Sequence, residues 1–164
     1  MQIKPPTEFD PAWLIIGYGN PLRRDDGVGP RVAEIIDARN LPGVRTQTAQ
    51  QLNPEDAEPI SRAGKVIFVD AAVDHGGGIL LRPLEPGATS QLMAHAADPR
   101  TVLALARDVF GRAPAAWWLT IKAVHLGFGT DFSPAAEAGV HAAVAEIERL
   151  VSGNFCEDPP ASVG

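Results

Sequence analysis

The feature that most constrains this chain lies at residues 14–31, where an apolar run passes into a glycine-rich turn that carries two adjacent carboxylates. Residues 13–18 are typical of a strand buried on both faces, and apolar residues recur at helical spacing between 32 and 36. Pro30 suits the first turn of that helix. The segment therefore predicts a strand, a loop and a helix in succession.

The turn Gly17-Tyr18-Gly19 resembles the start of a dinucleotide-binding loop, but the residues that follow oppose this interpretation. Asp25 and Asp26 lie just ahead of the helix, where their charges would repel a phosphate group. Two carboxylates suit a cation or a polarised carbonyl instead. A nucleotide-binding module remains a minor alternative, which a ligand titration followed by the fluorescence of Trp13 would test.

The rest of the chain continues the alternation of strands and helices. Strand patterns lie at 44–48, 65–70, 79–82 and 117–124, and helix patterns lie at 54–63 and 99–110. Ser133 and Pro134 are suited to the N-cap and first position of a last helix. We therefore predict an α/β fold with three layers, in which a mostly parallel central sheet is flanked by helices.

Composition limits the class of protein. The 164 residues, of which 45% are hydrophobic, predict a single domain over 1–164 with a core of about 12–152 and loose tails at both ends. A net charge of −6 without a basic stripe argues against a nucleic-acid partner, and no apolar run is long enough for a bilayer span. The single cysteine, Cys156, excludes an internal disulfide. We expect a cytoplasmic protein with no membrane partner.

Three segments carry candidate site residues. Asp26 follows the first predicted strand, Asp70 ends the third, and His95 lies in a loop before a predicted helix. Loops at the carboxyl ends of parallel strands meet at one edge of a sheet, so two carboxylates and an imidazole would be available to a divalent transition metal. No compact metal motif such as His-Glu-x-x-His is present, so the fold itself would have to assemble the site.

Each candidate also has a structural interpretation. An aspartate such as Asp26 before a helix is commonly a cap, and a buried acid such as Asp70 can be satisfied by backbone donors. His95 has competitors in His75, His125 and His141, of which His125 is the strongest because it ends a strand pattern.

The nucleophile can be addressed by elimination. A Gly-x-Ser-x-Gly elbow is absent, and Cys156 lies in a polar tail with no histidine nearby in sequence. Hydrolysis by this chain would therefore use water, activated by a metal ion or by a carboxylate acting as general base.

The turn at 17–29, the strand end at Asp70 and the loop histidine His95 together resemble the hydrogenase maturation endopeptidases, and residues 128–134 resemble the junction before the last helix of that family. The resemblance spans most of the chain. It implies that Asp26, Asp70 and His95 are metal ligands and that Asp26 and Asp70 are catalytic. We expect Gly19, Asn20 and Asp25 to contact the substrate.

The resemblance implies an enzyme that removes the C-terminal extension of a [NiFe] hydrogenase large-subunit precursor after nickel insertion. The nickel would be supplied by the precursor, and zinc or cadmium could substitute for it in vitro. The alternative is a non-catalytic nickel-sensing chaperone of the same precursor. Residues 48–54 depart from the glycine-rich segment that many members carry, so substrate contacts there are expected to differ.

Overall fold

A computed structural model of the chain describes residues 9–74, 76–88 and 98–153. Strands and helices alternate along these ranges: β1 (Trp13–Tyr18), α1 (Val28–Ala38), β2 (Val44–Ala49), α2 (Ala57–Arg62), β3 (Lys65–Ala72), β4 (Ile79–Leu84), α3 (Pro99–Phe110), β5 (Ala115–Lys122) and α4 (Pro134–Val151). Short 3-10 turns at Arg24–Gly27 and Pro54–Asp56 lead into α1 and α2. Most of the two predicted tails lies outside the described residues.

The strands form one five-stranded sheet in the order β2-β1-β3-β5-β4. The first four of these run parallel, and β4 pairs antiparallel with β5 at the edge. Helices α1 and α4 pack against one face, and α2 and α3 pack against the other. The predicted α/β fold, with its mostly parallel sheet flanked by helices, is confirmed.

The two faces of the sheet bury alternate residues of the same strands. On β1, Ile15 packs in the core beneath α1 and α4, whereas Leu14 and Ile16 pack in the core beneath α2 and α3. All six residues of β1 are buried. This is why residues 13–18 read as a continuous apolar run, because a central strand covered on both faces has no polar side.

Some element boundaries differ from the prediction. The helix at 99–110 is confirmed, and the Ser133 side chain caps α4 by accepting a hydrogen bond from the Ala136 nitrogen at 3.1 Å. Helix α1 begins at Val28, so Pro30 is its third residue, where a missing amide proton still costs no helical hydrogen bond. Strand β3 runs two residues beyond Asp70 because those residues pair with β5.

Strand β5 lies two residues earlier than the predicted 117–124. Strand β5 ends at Lys122, and the Ala123 nitrogen makes a last bond to β3 by donating to the Ala72 carbonyl at 2.9 Å. Val124 and His125 donate their amide protons to the Asp25 carboxylate instead of continuing a strand ladder. No helix within the described ranges is long and apolar enough to cross a membrane.

Candidate active site

The topology brings Asp26 and Asp70 to one edge of the sheet. Strand β1 lies between β2 and β3, and the connections from β1 and β2 carry α1 and α2 to opposite faces. Such a reversal opens a crevice at the carboxyl ends of the strands, which is where ligands bind in open α/β sheets. Asp26 lies in the 3-10 turn after β1, and Asp70 lies near the end of β3.

The Asp26 carboxylate is oriented by the turn that precedes it. Its Oδ2 accepts a hydrogen bond from the backbone nitrogen of Asn20 at 2.7 Å. The Asn20 side chain in turn accepts from the Leu22 nitrogen at 3.0 Å, and its carbonyl accepts from the Arg23 nitrogen at 3.0 Å. Asn20 therefore sets the shape of the turn and, through its backbone, the direction of the half-buried Asp26 side chain.

The glycines of the turn allow close packing between β1 and the start of α1. A Cβ atom on Gly17 would overlap the carbonyl oxygen of Gly29, and one on Gly29 would lie 2.5 Å from the carbonyl oxygen of Val69. Gly19 has a φ of +143°, and a Cβ there would overlap the carbonyl oxygen of Asp26. The motif thus has a steric function, since it lets Asp26 lie directly against the end of β1.

The Asp70 carboxyl group is perturbed by its surroundings. Burial raises its pKa to about 6, the neighbouring charge of Asp26 adds to the rise, and the Tyr18 hydroxyl and the Ala71 amide oppose it. The electrostatic effect of Asp26 on Asp70 means that the two candidate carboxylates share one environment. Near-neutral titration of a carboxyl group in a cleft is a feature of functional sites.

Two further polar groups lie beside Asp70 on the face covered by α2 and α3. Within the described part of the chain, the buried Tyr18 hydroxyl and Trp118 indole nitrogen make no hydrogen bond of ordinary geometry. Burial, and then the charge of Asp70, raise the pKa of Tyr18, so its hydroxyl stays protonated. Neither residue was predicted from the sequence to belong to the site. The period of two along β1 and β3 would have placed Tyr18 on the same face as Asp70.

Asp25 has a different position from its neighbour. It is fully buried, and its carboxylate accepts hydrogen bonds from the backbone nitrogens of Val124, His125 and Ser133 and from the Ser133 hydroxyl, at 2.7–2.9 Å. Burial alone would raise the pKa of Asp25, but these donors hold it below its usual value. The substrate contact predicted for Asp25 does not fit this geometry, because the chain's own donors enclose its oxygens.

A polar cavity of about 450 Å³ opens beside Asp26. Its lining consists of polar side chains: Asn20, Arg23, Asp26, Gln50, Gln51 and Asn53. The last three belong to the segment whose departure from the family pattern predicted different substrate contacts. They reach the cavity because they follow β2, the strand beside β1. Their position could have been predicted from strand order, but their individual roles could not.

A second cavity, of about 510 Å³, lies between the end of β4 and the start of α3. Trp118 forms part of its wall, and the Arg82 guanidinium lies 5.9 Å from the centre of the Trp118 ring. Because Trp118 also lies beside Tyr18, this cavity adjoins the face of the sheet that carries Asp70.

Two of the four histidines lie within the described residues. His95 and His75 lie outside the described residues. His125 is exposed in the loop after β5, and His141 is exposed on α4. In the described ranges, no group of three or more His, Cys, Asp or Glu side chains is arranged to hold a metal ion. A metal bound between Asp26 and Asp70 would need further ligands from outside these ranges or from a bound partner.

Solved structures similar to this one identify the architecture. A hydrogenase 2 maturation peptidase from the Thaumarchaeota archaeon SCGC_AB-539-E09 matches with a TM-score of 0.64 and 23% identity, over 87% of this chain and 99% of that one. The chain has the fold of the hydrogenase maturation peptidases. No family model matches the sequence, and no curated protein matches it.

Two further structures of this group show the same likeness. The hydrogenase maturating endopeptidase HybD from E. coli has a TM-score of 0.67 and 20% identity, over 86% of this chain and 93% of that one. The [NiFe] hydrogenase maturation protease HycI from Thermococcus kodakarensis KOD1 has a TM-score of 0.67 and 20% identity, over 87% and 93%. The maturation-peptidase fold therefore extends over nearly the whole described chain.

Proposed function

We propose that this protein is an endopeptidase that removes the C-terminal extension of a [NiFe] hydrogenase large-subunit precursor after nickel insertion. The observation that carries the proposal is that Asp26 and Asp70 lie near the carboxyl ends of the adjacent strands β1 and β3, where the charge of Asp26 acts on Asp70, in a chain with the fold of the hydrogenase maturation peptidases. Residues 17–29 and 128–134 supply the sequence resemblance that led to the same proposal.

The paired carboxylates suit recognition of the nickel carried by the precursor. Burial is the main cause of the raised pKa of Asp70, and the negative charge of Asp26 adds to it; a divalent cation between the two carboxylates would offset both effects. Oxygen ligands alone bind nickel modestly, and precursor thiolates would add affinity. We propose His95 as a third ligand. Zinc or cadmium would occupy the same ligands in vitro.

For the hydrolytic step we propose that Asp70 acts on water. Asp70 has a pKa of about 6 in the metal-free protein, so it is mostly ionised at neutral pH. Its carboxylate would take a proton from an attacking water molecule and return it to the leaving amine. Asp26, whose carboxylate is oriented by the Asn20 nitrogen, lies across the site from Asp70. The amide groups of Gln50 and Gln51 line the polar cavity and would hydrogen-bond the backbone of an extended peptide there.

The first test is the intact mass of the hydrogenase large subunit from cells whose only copy of this protein carries Asp26→Ala, Asp70→Ala or His95→Ala. Each variant should leave the subunit at the higher mass of the unprocessed precursor. Glu34→Ala is the matched control, because this exposed carboxylate on α1 makes only a surface ion pair with Arg31. A normally trimmed subunit in the Asp26→Ala strain would contradict the proposal.

A second measurement distinguishes the protease from the chaperone. Purified protein is mixed with nickel-loaded precursor, and the C-terminal fragment is sought by mass spectrometry. Release of the fragment by the wild-type protein but not by Asp70→Ala supports the endopeptidase. Stable binding without any broken peptide bond would favour the nickel-sensing chaperone.

A further inference from the structure

Three exposed apolar side chains lie on the two loops that border Asp26. Leu22, in the loop between β1 and α1, is 51% exposed. Val124 and Phe128, in the loop between β5 and α4, are 49% and 87% exposed. Leaving a phenyl ring in water forgoes the stabilisation that burial would supply, so an exposed aromatic side chain of this kind is commonly a contact for a partner.

The loop that carries Phe128 is tied to the Asp26 loop by backbone hydrogen bonds. The Arg24 nitrogen donates to the Gly129 carbonyl at 2.9 Å, and the Gly129 nitrogen donates to the Leu22 carbonyl at 2.8 Å. The Asp25 carboxylate adds its bonds to both ends of the same loop. The backbone next to Phe128 is therefore fixed against the loop that carries Asp26, which lowers the loss of backbone entropy when a partner binds.

The charges next to these apolar side chains differ from those of the chain as a whole. The chain has a net charge of −6, yet Arg23 and Arg24 stand together in this turn, and within the described residues neither forms an ion pair with a carboxylate. Arg23 also lines the cavity beside Asp26. A partner that combines apolar side chains with carboxylates would match this local pattern.

We propose that Leu22, Val124 and Phe128, with Arg23 and Arg24, form the docking surface for the precursor, and that its occupant is an apolar, acidic segment of the precursor outside the cleaved bond. This inference rests on the proposed function. The occupant is assigned to the substrate because Leu22, Arg23 and Arg24 share the loop of the candidate catalytic carboxylate Asp26, and the loop that carries Val124 and Phe128 is hydrogen-bonded to that loop through Gly129.

The test compares Phe128→Ser with Phe110→Ser. Phe110 is also exposed, at 46%, but it lies at the end of α3, near the N-terminal ends of the parallel strands. Arg112 marks this position, because it donates hydrogen bonds to the carbonyl groups that precede β3. Steady-state cleavage of nickel-loaded precursor should show a KM about tenfold higher for Phe128→Ser with kcat within about twofold, and no change for Phe110→Ser. An unchanged KM for Phe128→Ser would overturn the proposal.

Binding is also measured without cleavage. In the Asp26→Ala background, Phe128→Ser should raise the dissociation constant of the nickel-loaded precursor about tenfold, and Arg24→Gln should weaken the dependence of binding on salt. Absence of cleavage by the wild-type protein would count against the proposed function alone, because this binding assay does not need it. If Phe128→Ser instead converts a wild-type dimer into a monomer without affecting precursor binding, the surface serves self-association and the proposal fails.

Discussion

The hydroxyl of Ser133 donates a hydrogen bond to Asp25 Oδ2 at 2.7 Å and accepts one from the Ala136 nitrogen at 3.1 Å. A single side chain thus connects the first turn of α4 to the turn after β1. Because Asp25 also receives the amides of Val124 and His125, both ends of the β5–α4 loop are bound to one buried carboxylate in the turn after β1. Adjacent acids therefore differ in role, since Asp25 holds the loops together and Asp26 faces the cavity.

Replacing Asp25 with alanine should destabilise the protein strongly. Four hydrogen bonds, two of them from the buried Ser133, would lose their acceptor, and we expect a loss of about 3 kcal/mol or more in the free energy of unfolding, measured by urea denaturation. Ser133→Ala removes one of these donors and the helix cap, and should cost about 1–2 kcal/mol. Equal, small effects of both substitutions would contradict the central role of Asp25.

Asp25 should also give the protein an acid-sensitive stability. Its folded-state pKa lies below the ordinary value of 3.8, so the folded state favours the charged form. The stabilisation is complete above pH 3.8 and is lost as the pH falls through the lower folded-state pKa. Unfolding free energies measured from pH 5 downward should fall steeply for the wild type and less steeply for Asp25→Asn. Parallel curves for the two proteins would show that Asp25 contributes nothing in this range.

Asp70 has the opposite effect on stability. Its pKa rises from 3.8 to about 6 on folding, so the folded state binds more protons and stability decreases as the pH rises through this interval. Asp70→Asn should therefore stabilise the metal-free protein at neutral pH, by about 2 kcal/mol, while it abolishes processing. Thermal denaturation at pH 7.5 measures the predicted gain in stability, and the precursor-cleavage assay measures the predicted loss of processing. If Asp70→Asn is less stable than the wild type, the interactions of the Asp70 carboxylate outweigh the cost of burying its charge, and this prediction is wrong.

Removing the Tyr18 hydroxyl should change the titration of Asp70. The hydroxyl lowers the pKa of Asp70, so Tyr18→Phe should raise that pKa above its value of about 6. The cost in stability should be small, because the hydroxyl makes no hydrogen bond of ordinary geometry in the described part of the chain. Carboxyl-carbon NMR titration of Asp70 in the two proteins provides the measurement. An unchanged or lower pKa in Tyr18→Phe would refute the interaction.

The close approach of α1 to the sheet predicts a strict requirement for glycine at position 29. A Cβ atom there would lie 2.5 Å from the Val69 carbonyl oxygen and 2.6 Å from the Tyr18 carbonyl oxygen. Gly29→Ala should therefore destabilise the fold by about 2 kcal/mol or more through overpacking. Gly127→Ala is the control, since no atom lies within 4 Å of its added Cβ. Similar thermal midpoints for the two variants would contradict this account.

The fold was predicted from local patterns because its strands and helices are locally consistent. Residues 13–18 are apolar throughout since β1 is covered on both faces, and Pro99–Phe110 and Ser133-Pro134 carry helix signals that the structure confirms. Strand ends were less predictable. Where β5 stops depends on Asp25, a distant residue that takes the amides of Val124 and His125, and no local pattern contains that competition.

The sequence by itself determined that strands and helices alternate, that glycines and two acids follow the first strand, and that Asp70 comes late in an apolar strand. Only the tertiary structure decided which acid would be buried and which would face the crevice. Asp25 and Asp26 are chemically identical neighbours, and their roles differ because four donors from the β5–α4 loop converge on one of them. The pairing of Asp26 with Asp70 likewise depends on β1 and β3 lying side by side, which brings together charges that are 44 residues apart in the chain.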